Sequence, residues 1–352
     1  MGRRSKNKFN QLPPAVKWAQ NKLDPKWLDP WDLNVQAINW VSQDCWRIIT
    51  DRGIKQLIKV NWPEERMLFI QGLLDHLGQA GFKTISRFIR TADDVGWLPI
   101  ENGYVYLCDW VEGKPINLTE IEQLIQTTRT LAKLHSCIRN FKAPIESNRW
   151  DNRGRWPGFW RQSSKQVLAY RDRVENQRVL NLFDRTFIDN FEELYNQMQF
   201  ALFLLDDSRY LEHLDLIREQ PFVCHNSFRE ANLLLTSKNK IHVFGFEKCM
   251  YDLRVYELGR FLQRVLIQAN WDISVGQKVL NTYEEEWSLS PVERQIMLAQ
   301  LWFPYSSWTY VQYYYAGRRE IPEKKLMLEM QREKSYQKSR EQFLSWAYEW
   351  AR

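Results

Sequence analysis

The chain has 352 residues, 44% hydrophobic and 26% charged, an ordinary globular composition that excludes a wholly disordered chain or a fibrous repeat. Its net charge of +6 is mild for the length and interspersed, which argues against a nucleic-acid protein. Five cysteines with no C-x-x-C pair and five scattered histidines offer no zinc-site pattern, so buried free thiols are expected.

Aromatic residues are the unusual component, with 17 Trp, 15 Tyr and 18 Phe. Most should fill a core. Trp27, Trp31, Tyr313, Tyr314, Tyr315, Trp346 and Trp350 lie toward the two ends in polar surroundings. They read equally well as core or as interface.

In chain order, Met1 to Lys8 is basic with no apolar run behind it, so no secretory signal is expected. Residues 1–38 hold Pro13, Pro14, Pro25 and Pro30 and read as an irregular arm with a short helix near 14–22. Three short strands follow at 38–41, 46–50 and 56–60, with Asp51-Arg52-Gly53 turning between the last two. Pro63-Glu64-Glu65 opens a helix whose apolar face is Met67, Ile70, Leu73, Leu74 and Leu77 and which Gly81 ends. Strands at 97–100 and 104–108 complete a small antiparallel sheet lobe over 39–112. Gly113-Lys114-Pro115 reads as a hinge into a mainly helical lobe, 113–352. That lobe should carry a helix over 118–138, a polar Trp- and Gly-rich loop over 148–160, and two long helices over about 161–217. A hairpin at 232–235 and 241–244 follows, then helices to the end. The uncharged run from Gln295 to Gly317 is broken by Pro304 and carries several polar residues, so no membrane span is expected. A small sheet with one helix followed by a helical lobe is the α+β layout of a protein-kinase-like phosphotransferase.

Three motifs bear on that layout. Leu131-Ala132-Lys133-Leu134-His135 resembles the L-A-x-L-H helix end of aminoglycoside phosphotransferases and choline-kinase-like proteins. Residues 222–235 contain His225-Asn226-Ser227, with Asn232 five positions after Ser227, which resembles the catalytic loop H-G-D-x-x-x-x-N-x-L. Residues 243–247, Val-Phe-Gly-Phe-Glu, resemble the metal motif I-D-F-D/E, and Glu257-Leu258-Gly259 stands where D-L-A is written. In such enzymes the loop Asp takes or orients the proton of the attacking hydroxyl, and the Asn and the second Asp hold Mg²⁺ on the phosphates of ATP. Here the base position is Ser227, which carries no charge, and the metal Asp is Gly245, which has no side chain. Losing the base alone costs about 10²–10⁴ in rate. The retained residues are His225 and Asn232.

If nucleotide binds at all, the resemblance sets Lys59 of the third strand and the hinge residues Asp109 and Glu112 against it. No helix glutamate is placed to pair Lys59, since the corresponding positions are Ile70 and Gln71. No glycine-rich loop joins the first two strands. The alternative is a divergent phosphotransferase. Residues two apart in a strand share a face, so Glu247 would point where Gly245 does not, and Asp252 lies close in sequence. Together with Asn232 these would hold Mg²⁺ on ATP.

Further stretches narrow the branch. Gly81-Phe82-Lys83-Thr84-Ile85-Ser86-Arg87-Phe88-Ile89-Arg90-Thr91, Trp110-Val111-Glu112-Gly113, and Glu284-Glu285-Glu286-Trp287 ahead of Leu301-Trp302-Phe303-Pro304 resemble the CotS-type spore coat family. The resemblance spans about residues 36–345. It implies a kinase-like protein made in the mother-cell cytoplasm and assembled with other coat proteins onto the forming spore. The departures at Ser227 and Gly245 imply a pseudokinase with a structural or assembly role.

Overall fold

β1 (Val35–Ser42), β2 (Cys45–Thr50) and β3 (Gly53–Val60) run back and forth, the second turn closing at Gly53 with φ +89°. In this computed structural model, residues 23–144, 150–217, 222–317 and 322–352 are described. The basic residues 1–8 and the helix expected near 14–22 lie outside them. The chain forms two compact units: Met1–Ile116 with Phe141–Arg149 and Glu230–Glu247, and Asn117–Asn140 with Trp150–Arg229 and Lys248–Arg352.

In the first unit, α1 (Glu64–Gln79) starts after Pro63 with two acids in its first turn, where the helix dipole favours them. Gly81 at φ +85° ends it, and the Phe82 amide donates back to the Leu77 carbonyl. β4 (Trp97–Ile100) and β5 (Gly103–Asp109) complete a five-stranded antiparallel sheet in the order β1-β2-β3-β5-β4.

The arm departs from the irregular segment expected of it. Pro25–Trp31 forms a 3-10 helix capped by Asp24, and β1 begins at Val35. Leu23, Leu28 and Trp31 are buried with Ile38, Trp46, Ile48, Leu57, Val105 and Leu107, and the Trp31 indole donates to the Ile89 carbonyl at 2.6 Å. These prolines therefore shape a cover for one sheet face.

The Gly113-Lys114-Pro115 stretch is tied by strand pairing. β6 (Lys114–Pro115) pairs with β8 (Leu233–Leu235), which pairs with β9 (Ile241–Val243). A Cβ on Gly113 would stand 2.9 Å from Leu234 Cβ and from the Leu235 carbonyl oxygen, so the close approach requires glycine. A parallel bridge from Ile85 to Val243 ties the hairpin further to the first unit.

The second unit is helical. It contains α2 (Ile121–Ile138), α3 (Trp156–Glu175), α4 (Leu182–Asp207) and α5 (Tyr210–Leu216). A short pair, β7 (Val223–Cys224) with β10 (Met250–Tyr251), precedes α6 (Arg254–Gln268), α7 (Ile273–Glu284), α8 (Pro291–Trp302), α9 (Tyr305–Tyr315), α10 (Glu323–Ser335) and α11 (Gln337–Ala351). Capping boxes Asn181/Asp184 and Ser290/Glu293 start α4 and α8. The loop expected over 148–160 ends early, because Trp156 and Pro157 open α3 and bury Trp156 and Trp160.

Of the undecided end aromatics Trp31 is buried and the others are half-buried against neighbouring rings or charges. Tyr314 stacks on Phe183 at 3.8 Å, and the Tyr315 hydroxyl donates to Asp184 at 2.9 Å. Trp350 stacks on Trp346 and lies under Arg294. Among the described residues no helix is long and apolar enough to cross a membrane.

Candidate functional site

The degenerate catalytic loop divides between the two units. In the helical unit β7 delivers His225, Asn226 and Ser227. Asn226 sits at φ 57°, a left-handed conformation that Asn tolerates better than most residues. The amide of His225 donates to Glu257 Oε2 at 2.8 Å and that of Asn226 to Oε1 at 2.6 Å. The Ser227 amide donates to His225 Nδ1 at 3.1 Å, so that ring nitrogen carries no proton.

Glu257, on α6, is itself held by His135 at the end of α2. His135 Nε2 lies 3.1 Å from Glu257 Oε2, and Nδ1 lies 2.7 Å from the Tyr283 hydroxyl. A neutral His135 satisfies both contacts by donating from Nε2 and accepting from the tyrosine. Burial pushes His135 below its ordinary value, which favours that neutral ring. Burial alone would raise Glu257, but the His135 hydrogen bond, the nearby histidines and the loop amide more than offset it and hold the carboxyl below its ordinary value. The loop backbone is thus built around an ionised carboxylate. Sequence reading quoted Glu257 and His135 only as motif letters. Their signal was a Glu where the resemblance writes an acid, and a His ending an apolar helix.

Ser227 is 8% exposed and brings no negative charge. Asp252 in the same unit is fully buried. Its carboxylate oxygens accept from Asn152 Nδ2 at 2.7 Å, the Leu253 amide at 2.8 Å and the Trp156 indole at 3.2 Å. Those bonds tie it to the start of α3 and leave it closed off as a metal ligand.

Asn232, Gly245 and Glu247 belong to the sheet unit. Asn232 is 8% exposed, and its carbonyl accepts from the Phe244 amide at 3.1 Å. Strand β9 ends at Val243, Gly245 turns at φ +82°, and Phe246–Lys248 is a 3-10 turn. The strand alternation expected to carry Glu247 to the place of Gly245 is therefore absent. Glu247 is exposed, and its carbonyl accepts from buried Arg66 of α1 at 2.7 Å.

A Cβ on Gly245 would stand 2.7 Å from Asn232 Cγ and 2.9 Å from its amide nitrogen and oxygen. A side chain at 245 would therefore require the Asn232 carboxamide, the far end of its side chain, to shift. Among the described residues no group of three His, Cys, Asp or Glu could hold a metal ion. A hard divalent cation takes oxygen ligands, and Gly245 brings none of its own beside the Asn232 carboxamide.

Lys59 lies on the other side of the sheet from this turn. In the register Lys59 pairs with Val105 and Ile58 with Tyr106, and paired residues share a face. Val105 joins the core under the 3-10 cover, whereas Tyr106 packs on Phe88 and Trp62, and burial, with smaller contributions from Cys108 and Glu247, pushes its hydroxyl well up. Lys59 accordingly reaches the Trp27 ring at 5.8 Å. Asp109 pairs with Lys55 at 2.5 Å and Glu112 with Arg47 at 3.8 Å, both acids largely exposed.

Comparison with known proteins follows this architecture. The sequence model of the family described as "Spore coat putative kinase YutH" matches residues 44–347. "Spore coat protein S" of Bacillus subtilis (strain 168) is 24% identical over 268 residues, 76% of each chain. Among solved structures, an aminoglycoside phosphotransferase from Alicyclobacillus acidocaldarius superposes with a TM-score of 0.82 at 19% identity, covering 94% of this chain and 96% of that one. A spectinomycin phosphotransferase in complex with ADP and spectinomycin gives 0.58 at 12% identity, over 90% and 91%. At these identities the structures speak to the fold, which is that of the protein-kinase-like phosphotransferases.

Proposed function

The chain belongs to the YutH family of spore coat kinase-like proteins, and from that membership we propose that it is a coat component that transfers no phosphate and serves coat structure or assembly. The observation that carries the inactive reading is the pair Gly245 and Asn232. The metal acid is absent, and a side chain there would need a left-handed backbone and a displaced Asn232 carboxamide. Ser227 removes the proton acceptor as well. Meanwhile the loop backbone, Glu257 and His135 keep their full set of contacts, which suits a protein retained for its fold.

The relative's name, spore coat protein S, supports placing this chain in the coat among other coat proteins after synthesis in the mother-cell cytoplasm. A fluorescently labelled copy should collect at the surface of the developing spore. Signal that stays diffuse through sporulation would contradict the assignment.

A second reading, a divergent phosphotransferase, keeps one observation in its favour: Glu247 is exposed beside Gly245. It requires an ATP-dependent activity that Glu247→Ala abolishes. Asp252 already accepts from Asn152, Trp156 and the Leu253 amide, which argues against its serving as that ligand.

A further inference from the structure

Lys59 has aromatic neighbours on the face of the sheet that the arm covers in part. Trp40 of β1 stands opposite Trp46 of β2, and Trp46 opposite Leu57 of β3, so the three share that face. Lys59, two residues beyond Leu57, projects the same way. The Trp27 ring meets Trp46 edge-on at 5.9 Å and lies 5.8 Å from the Lys59 ammonium. Trp46 is buried, whereas Trp40 is 45% exposed near the end of an edge strand that carries no charge. The Lys59 amide donates to the Asp44 carbonyl at 2.9 Å, which fixes the β1–β2 turn beside the lysine.

Two open depressions share Lys59. One, of about 440 Å³, is bounded by Trp40, Gln43, Asp44 and Trp46. The other, of about 470 Å³, lies between Trp27 at the start of the arm and the turn at 98–102. Each has the size of a ligand cleft, but both are open, which suits a chain lying across the face better than an enclosed small molecule. Their charged residues are Lys26 and Lys59 against Asp24, Asp44 and Glu101. Three acids against two bases disfavour a polyanion, whose binding needs an excess of cations. Among the described residues no group of three acids, histidines or cysteines could hold a metal ion. The exposed polar groups are those that bond hydroxyls: Gln43 and Asn102 donate and accept, and Asp44 and Glu101 accept. A sugar ring presents hydroxyls at its rim and a flat C–H face that stacks on an indole such as Trp40.

We propose that this face of the sheet binds a neutral polysaccharide, with one ring stacked on Trp40 and the chain continuing past Lys59. The site is separate from the loop residues and depends neither on phosphate transfer nor on the coat reading. The test is isothermal titration calorimetry of the full chain with cellohexaose and with the hexamer of β-1,4-linked N-acetylglucosamine. At least one should bind saturably, with an affinity that barely changes with salt. Trp40→Ala, at an exposed position, should weaken binding by at least about tenfold, as loss of a central tryptophan does. Gln43→Ala in the exposed turn should weaken it by a few fold, and it decides the matter if the first variant does not fold. No saturable heat from either sugar would overturn the proposal, as would unchanged affinity in Trp40→Ala. Affinity that falls steeply with salt would point to a polyanion and overturn it too. Trp40-dependent self-association in sedimentation, without sugar binding, would assign the indole to a second copy of the chain and likewise overturn it.

Discussion

Gly245 illustrates what one residue decides. Its φ of +82° is open to glycine and strained for other residues, and any side chain meets Asn232 at once. Gly245→Ala is expected to lower stability by about 1–3 kcal/mol in urea unfolding. Restoring acids at both positions, as Ser227→Asp with Gly245→Asp, is expected to yield no Mg²⁺-dependent ATP turnover, because the second acid would be strained at φ +82° and would displace Asn232. Asp252 makes a different prediction. Burial pushes its carboxyl up to about 7 from an ordinary 3.8, in spite of the donors around it. Between those values it is protonated when folded and ionised when unfolded. Its contribution to stability is therefore complete below about pH 4 and is lost as pH rises to about 7, by up to about 4 kcal/mol. Denaturation of the wild type and of Asp252→Asn at pH 5 and pH 7.5 should show a steeper decline in the wild type, and parallel behaviour would contradict this. The losses at Ser227 and Gly245 were legible in the sequence, because a missing side chain needs no coordinates. The approach of Asn232 to position 245 was not, because it depends on where β9 stops.

Elements show where sequence patterns reached and where they stopped. The β2–β3 reversal, α1 and the β8–β9 hairpin follow from alternation, a proline start, glycine turns and a short polar loop. The arm was missed because its four prolines mask what its apolar residues do. Leu23, Leu28 and Trp31 have no period of their own, and their partners lie on strands that come later. Trp31→Ala should cost about 3–5 kcal/mol, as expected for a buried tryptophan, whereas an interface role would leave the isolated chain nearly unchanged. The loop anchor was missed for a related reason. Glu257 meets His225 32 positions away and His135 122 positions away. Glu257→Ala leaves two backbone donors and a histidine without their acceptor and is expected to destabilise by about 3–5 kcal/mol. The m-value should stay constant, since the surface exposed on unfolding is unchanged. Lys59 was placed on the right strand, but the face it takes depends on pairing with Val105, which the motif does not specify.

At the scale of the molecule, the family match over residues 44–347 and the phosphotransferase fold agree with a sequence read as a small sheet lobe followed by helices. The loop is anchored, its base is a serine, its metal acid is a glycine, and its strand lysine faces the arm. Such a molecule is expected not to bind Mg²⁺·ATP. The most direct measurement is thermal unfolding of the purified chain with millimolar ATP, with and without Mg²⁺. A ligand at about 100 times its dissociation constant adds about 2.7 kcal/mol to the native state, which raises the midpoint by at least a few degrees. The account predicts no Mg²⁺-dependent shift. A rise of several degrees that appears only with Mg²⁺ would contradict it and return the protein to the working phosphotransferases.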